Sequence, residues 1–255
     1  MKEKILVIPD IHARRFWKKA VEKYLDKVDR IIFLGDYLDP YPWEGYTRKE
    51  SISNFQEIID FKLANKDKVI LLLGNHCIQY INKCFIKRSR YDSSNAYHIS
   101  EMFNSHKSLF QLAYEETVGD KKYLFTHAGF LKPWYDDNKR FIGEPTIDNL
   151  NRLLGFREGI IALADVSSFR GGFSKCGSIV WADVYEHYYD DVMMPQWDYE
   201  IFGHSQQEND PIITDKWACL DCRRAFILYE DGKIEACTEE DKKKGSDIPV
   251  GSKVQ

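Results

Sequence analysis

The sequence predicts an α/β protein, and three observations carry that expectation. Short apolar runs at KILVIP (4–9), RIIFLG (30–35) and KVILLLG (68–74) are separated by segments of helical periodicity. Strand, helix, strand in alternation is the pattern of a parallel sheet with helical crossovers. The runs lead directly into Asp10, Asp36 and Asn75, and 255 residues with 44% hydrophobic side chains suffice for a large buried core.

The elements follow in order. After the first run, FWKKAVEKYLDKV places Phe16, Ala20, Val21, Tyr24, Leu25 and Val28 on one helical face, with lysines opposite. Between the second and third runs, Ile52, Phe55, Ile58, Ile59 and Leu63 mark a second helix. KKYLFT (121–126) leads into His127, and YEIFG (199–203) into His204. Ligands of parallel sheets bind at the carboxyl ends of the strands, so five strand ends converge there, each with a potential metal ligand. A helix is expected over TIDNLNRLLGFREGIIALA (146–164), and KWACLD, AFILYE and KIEAC predict a second, mixed or antiparallel sheet. Stretches 84–97 and 130–145 lack clear periodicity and read as rims of a cleft. The charged tail 238–255, poor in large apolar residues, is expected to be flexible, which leaves residues 1–237 as one domain.

Charge narrows the partners. Lys plus Arg number 36 against 40 Asp plus Glu, a formal net charge of -4, so no overall positive field points to nucleic acid or to an anionic membrane. No run of some twenty apolar residues or signal peptide is evident, and a cytoplasmic protein is expected. The six cysteines, at 77, 84, 176, 219, 222 and 237, are scattered and are read as reduced thiols. Cys219 and Cys222 form a CxxC with no second pair, and structural thiols are favoured over a zinc knuckle or redox pair.

Singly, DIH, GDYLD and GNH each have a local-structure reading: Asp10 as a helix cap, Gly35-Asp36 as a strand-to-helix turn, and Gly74 as a residue supplying positive φ. Together, DIH, GDYLD, GNH, THAG and GH stand in order, each after an apolar run. Carboxylate, imidazole and amide donors suit divalent metals of intermediate hardness such as manganese, iron or zinc. PDIHAR, GDYLDP, GNHCIQY, FTHAGF and FGHS resemble the signature blocks of calcineurin-like metallophosphoesterases. The THAG and single-histidine GH forms, with SIVWAD (178–183), are most similar to the bacterial branch of the serine/threonine phosphoprotein phosphatases.

The resemblance implies a four-layer α/β/β/α sandwich with two mixed sheets flanked by helices. It also implies two divalent metals about 3.5 Å apart at the strand-end edge. Asp10 and His12 would hold one, Asn75, His127 and His204 the other, and Asp36 both. His76, oriented by Asp39, would protonate the leaving group after attack by a metal-bridging hydroxide, a contribution of about 10² to 10⁴ in rate. Asp39 also has a reading as a loop carboxylate before Pro40. His98, His106 and His187 belong to no such block and are read as surface or structural groups.

Three departures from the family pattern stand out. Cys77 replaces the usual acidic residue after the histidine; a buried structural thiol is favoured there over an oxidation-sensitive one. Pro40 stands where an arginine usually grips phosphate; Arg14 and Arg170 are the substitutes considered, since a guanidinium can fork onto phosphate oxygens. His204-Ser205-Gln206 lacks the second histidine of a GHxH block, in agreement with the phosphoprotein-phosphatase branch.

The expected activity is metal-dependent hydrolysis of phosphate monoesters, on phosphoserine or phosphothreonine proteins or on small phosphorylated metabolites. Hydrolysis of a phosphoanhydride or diester, such as a dinucleoside polyphosphate, is the alternative. A binding protein without turnover fits less well, because all six ligand positions and the His76/Asp39 pair are present.

Overall fold

Alternate side chains of the first strand enter different cores, which is why its sequence reads as unbroken apolar rather than alternating. A computed structural model of the chain describes residues 2–82, 85 and 87–239. In β1 (Glu3–Ile8), Ile5 and Val7 pack into a core between two sheets, while Leu6 and Ile8 face a larger core under helices. β2 (Arg30–Phe33) repeats the division, with Ile32 between the sheets and Ile31 and Phe33 on the helical side. A strand covered on both faces needs an apolar residue at nearly every position.

The remaining strands are β3 (Val69–Leu72), β4 (Phe110–Gln111), β5 (Ala113–Val118), β6 (Lys121–Thr126), β7 (Tyr199–Phe202), β8 (Ile212–Ile213), β9 (Trp217–Cys219), β10 (Phe226–Tyr229) and β11 (Ile234–Ala236). The first sheet has the order β11-β10-β1-β2-β3-β4 and the second β5-β6-β7-β9-β8. From β1 to β4 neighbours pair in parallel, with Leu6 opposite Ile31 and Ile32 opposite Ile70. In the second sheet β6, β7 and β9 are parallel, bounded by antiparallel β5 and β8. The intersheet core joins Ile5, Val7, Ile32 and Leu72 to Tyr123, Phe125, Tyr199 and Ile201.

Helices complete the layers. α1 (Phe16–Tyr24) and α2 (Arg48–Ala64) bury Trp17, Ala20, Val21, Phe55, Ile58 and Ile59. α2 begins at a capping box in which the Thr47 hydroxyl accepts from Glu50 N while Glu50 accepts from Thr47 N, a cap that contributes about 1 kcal/mol. α3 (Asn75–Ile81) and α4 (Ala96–Ser105) follow β3. α5 (Lys132–Ile142), α6 (Ile147–Asn151) and α7 (Arg157–Leu163) bury Trp134, Ile142, Leu150 and Leu163. No helix among the described residues is long and apolar enough to cross a membrane.

Three local expectations are corrected. AFILYE and KIEAC become β10 and β11 of the first sheet, where Leu228 pairs antiparallel with Ile5, rather than joining the second. The stretch 130–145 contains the regular helix α5, whose buried face is Trp134, Asn138 and Ile142; a polar residue in the middle of the stripe hides the periodicity. The helix over 146–164 is interrupted. Asn151 turns its amide onto the edge of β5, accepting from Leu112 N and Ala113 N and donating to Ala113 O, and a 3₁₀ turn at Leu153–Gly155 follows. Of the tail 238–255, residues 240–255 lie outside the described residues, as does Cys84.

Candidate active site

The strand ends of both sheets meet at one edge, tied there by hydrogen bonds between loops distant in sequence. Ile11 N and His12 N donate to Asp36 O, Gly203 N donates to His127 O, and His204 N donates to Asp10 Oδ1 at 2.9 Å. Tyr37, next to Asp36, donates to Leu72 O and stacks on Phe55, which pins the GDYLD turn against the helical core. Glycines permit this closeness. A Cβ on Gly74 would lie 2.2 Å from Asp36 Oδ1 and 2.6 Å from His127 Cε1, and one on Gly203 would lie 2.2 Å from Asp10 Oδ1. Gly74 itself has φ -102, so its role is to leave room rather than to supply a left-handed turn, contrary to the sequence reading.

The backbone is strained at this edge. His12, Asp36, Asp39, Arg90 and His204 all have positive φ, between 41 and 65. Side chains with a Cβ rarely adopt that region, and such residues concentrate where function holds them.

Two groups of donor atoms result. Asp10, His12 and Asp36 offer ligand atoms that all lie within 4.8 Å of one another, and so do Asp36, His127 and His204. Asp36 belongs to both. Its Oδ1 accepts from His76 N at 2.9 Å, leaving Oδ2 3.8 Å from His12 Nε2 and 3.4 Å from His127 Nε2. Asn75 Oδ1 is 3.0 Å from His127 Nε2, and His204 Nδ1 is 3.1 Å from it.

Partners outside the cluster fix the imidazoles. His12 Nδ1 donates to Leu38 O at 2.7 Å and His127 Nδ1 to Leu34 O at 2.9 Å, so each Nε2 faces the carboxylates. This is the arrangement that orients histidines toward a metal. Burial, then the field of Arg90, holds His12 well below its usual proton affinity; burial, then Arg170, does the same for His204. Neutral imidazole is the coordinating form. Burial lowers His127 too, but Asp36 and Asp10 outweigh it and bring it up to about 9. The carboxylates thus draw positive charge to the centre of the cluster. Oxygen and nitrogen donors from six side chains, with no thiolate among them, fit two divalent cations.

His76 stands beside this cluster, its ring 5.1 Å from that of His12. Its Nδ1 lies 2.8 Å from Asp39 Oδ2, and Asp39 is held in turn by Gln79 Nε2 at 2.7 Å and Tyr80 Oη at 2.5 Å. Asp10 likewise caps no helix, its Oδ1 being taken by His204 N. In sequence Gln79 and Tyr80 read only as the end of the GNHCIQY block, although they lie three and four residues after His76 and so share its face of α3.

The other singled-out residues have structural partners. Arg14 is fully buried and forks onto Glu44 through Nε and Nη2, with Nη1 on Asp10 O. Arg170 pairs through Nε with Asp183 at 2.7 Å, and its Nη2 donates to His204 O and Ser205 Oγ. Both guanidiniums brace loops that carry ligands. Cys77 is buried, and burial beside Asp36 pushes its thiol well up. Cys219 and Cys222 are buried free thiols, Cys219 donating to Gly203 O and Ser205 O. His187 is buried and stacked on Phe202, His106 bonds Met102 O, and His98 is exposed. A cavity of about 510 Å³ lined by Lys4, Asp29, Arg30, Lys68 and Glu116 takes in the start of β2, at the opposite end from the donor cluster.

A sequence profile of the calcineurin-like phosphoesterase family matches residues 3–226, and the chain belongs to that family of metal-dependent hydrolases of phosphoester bonds. It is 26% identical over 157 residues to a probable serine/threonine-protein phosphatase of Encephalitozoon cuniculi, a match covering 59% of this chain and 32% of that protein. The chain therefore spans about a third of the length of that relative. Its fold is similar to that of a protein serine/threonine phosphatase from Saccharomyces cerevisiae, with a TM-score of 0.53 at 14% identity over 95% of this chain and 82% of the other. A hypothetical protein from Pyrococcus horikoshii aligns over 95% of this chain and 90% of its own at 12% identity and a TM-score of 0.49.

Proposed function

We propose that the chain is a phosphomonoesterase acting on phosphoserine or phosphothreonine proteins or on small phosphorylated metabolites, through one domain spanning residues 1–237. The observation that carries this reading is the buried His76–Asp39 pair at 2.8 Å, set beside a double cluster of metal ligands. A carboxylate on Nδ1 keeps the imidazole turned so that Nε2 serves the leaving group, and Gln79 and Tyr80 hold that carboxylate from the other side.

In this assignment Asp10 and His12 would hold one metal, Asn75, His127 and His204 the second, and Asp36 would contribute to both. Manganese, iron and zinc all suit these donors. Bound metals supply Lewis acidity that neutralises phosphoryl oxygens and acidifies water. The chain's own part is to fix the ligands, to shield them by burial, and to deliver a proton from His76 Nε2 to the departing alkoxide. Phosphoprotein substrates draw support from the relative in Encephalitozoon cuniculi, which bears a protein-phosphatase name.

The test is hydrolysis of p-nitrophenyl phosphate by chain loaded with manganese, followed by phosphopeptides, nucleotides and sugar phosphates ranked by kcat/KM. Monoesters are expected to be cleaved ahead of diesters and anhydrides. Metal-loaded chain that cleaves none of them would defeat the proposal.

A further inference from the structure

Arg14 and Arg170 each spend their charge on a carboxylate, Glu44 in one case and Asp183 in the other. A third guanidinium is differently placed. Arg90 comes from the turn at residues 89–90, before α4, and its Nη1 donates to Asp39 O at 2.6 Å. Its Nη2 lies 3.1 Å from His76 Nε2, and its central carbon is 3.7 Å from the centroid of the Tyr41 ring. Tyr41 in turn meets the edge of His12 at 5.2 Å. Among the described residues no carboxylate forms an ion pair with Arg90.

We propose that Arg90 is the phosphate-binding arginine of this site, gripping non-bridging oxygens of the substrate between the face of Tyr41 and the imidazole of His76. The inference rests on the reading of His76 as the group that faces the leaving oxygen.

Three physical arguments support it. Guanidinium is permanently charged and only donates, so a backbone carbonyl and an imidazole leave its charge without an anionic partner. A phosphate oxygen makes a charge-assisted bond to it about twice as strong as a neutral one. Second, Arg90 Nη2 and His76 Nε2 lie only 3.1 Å apart, so one phosphate ester can meet both, with its leaving oxygen toward His76 and its non-bridging oxygens toward Arg90. Third, the Tyr41 ring and the Asp39 carbonyl hold the guanidinium in place before substrate arrives, which reduces the ordering cost of binding. No sequence signal marked this residue: Arg90 lies in an aperiodic stretch, and its pairing with His76 is purely tertiary.

The experiment uses the full chain loaded with manganese, with p-nitrophenyl phosphate as substrate and inorganic phosphate as competitive inhibitor. For Arg90→Gln, KM and the inhibition constant for phosphate are expected to rise about 10- to 100-fold, with metal content and melting temperature unchanged. Arg90→Lys is expected to recover part of the phosphate binding, because it restores the charge without the fork. If Arg90→Gln binds phosphate as tightly as wild type, the proposal is wrong, even though wild-type turnover would leave the phosphomonoesterase reading intact. Absence of turnover in the wild type would instead defeat that reading. Should Arg90→Gln fail to fold, phenylglyoxal modification of wild-type Arg90, followed by peptide mass spectrometry, decides the matter. Protection by inorganic phosphate supports the assignment, and unchanged modification overturns it.

Discussion

Asp10, Asp36, Asn75, His127 and His204 each follow a strand by no more than three residues, whereas the groups around His76 (Gln79, Tyr80, Tyr41 and Arg90) come from a short helix and from loops. On the metal side, backbone hydrogen bonds between strand exits set the positions, and glycines allow backbone and carboxylate to touch. On the rim, position depends on side-chain contacts between segments remote in sequence. The first arrangement is fixed by backbone geometry. The second is expected to tolerate change one contact at a time with the donor cluster intact.

Among changes that leave the six donor side chains and His76 themselves intact, the largest expected effect lies beside the donor cluster. Gly74→Ala drives a methyl group into Asp36 and His127, and metal affinity is expected to fall about 10- to 100-fold, with turnover falling alongside it; equilibrium dialysis against manganese checks this. Next comes Cys77→Asp, which places a second buried carboxylate beside Asp36. It is expected to cost about 3–5 kcal/mol in urea unfolding of the metal-free chain, and an unchanged midpoint would show that the pocket accepts an acid after all.

A rim change of moderate size is Tyr80→Phe. The phenol donates to Asp39 and accepts from Asp92 N, so its loss is expected to lower kcat about ten-fold while metal content stays constant. Parallel loss of metal would mean that the two sides are not separable. The smallest effect on activity belongs to Glu200, outside both groups. Burial raises its carboxyl to about 8, with Phe130 N as its hydrogen-bond partner. A folded-state value above the unfolded one of about 4.5 means stability fully present below that pH and lost as pH rises through about 8. Glu200→Gln is expected to flatten that slope, read from melting temperatures between pH 4.5 and 8.

The same comparison explains what was legible in the sequence. A ligand that follows an apolar run announces both its element and its place at the sheet edge, so the parallel strands and their exits could be read residue by residue. AFILYE and KIEAC read as part of the second sheet but form β10 and β11 of the first, because alternating segments pair equally well with either edge until Leu228 meets Ile5. α5 was hidden by Asn138 within its buried stripe, and the interruption after Asn151 depends on a side chain bonding to a strand nearly forty residues earlier. Arg14 and Arg170 read in sequence as guanidiniums near motifs, whereas the carboxylates that hold them come from segments brought in by the fold. Arg90 is the converse case: nothing in its neighbourhood of sequence points to His76.

In the proposed mechanism, ligand and proton donor are adjacent in sequence but separate in role, Asn75 serving the metals and His76 the leaving group. Metal content and turnover, measured together on His76→Asn and Asp36→Asn, test it most directly. His76→Asn is expected to keep its metal while kcat falls about 10²- to 10⁴-fold, and Asp36→Asn to lose metal and activity together. Equal metal loss in the two variants, or full turnover in His76→Asn, would contradict it.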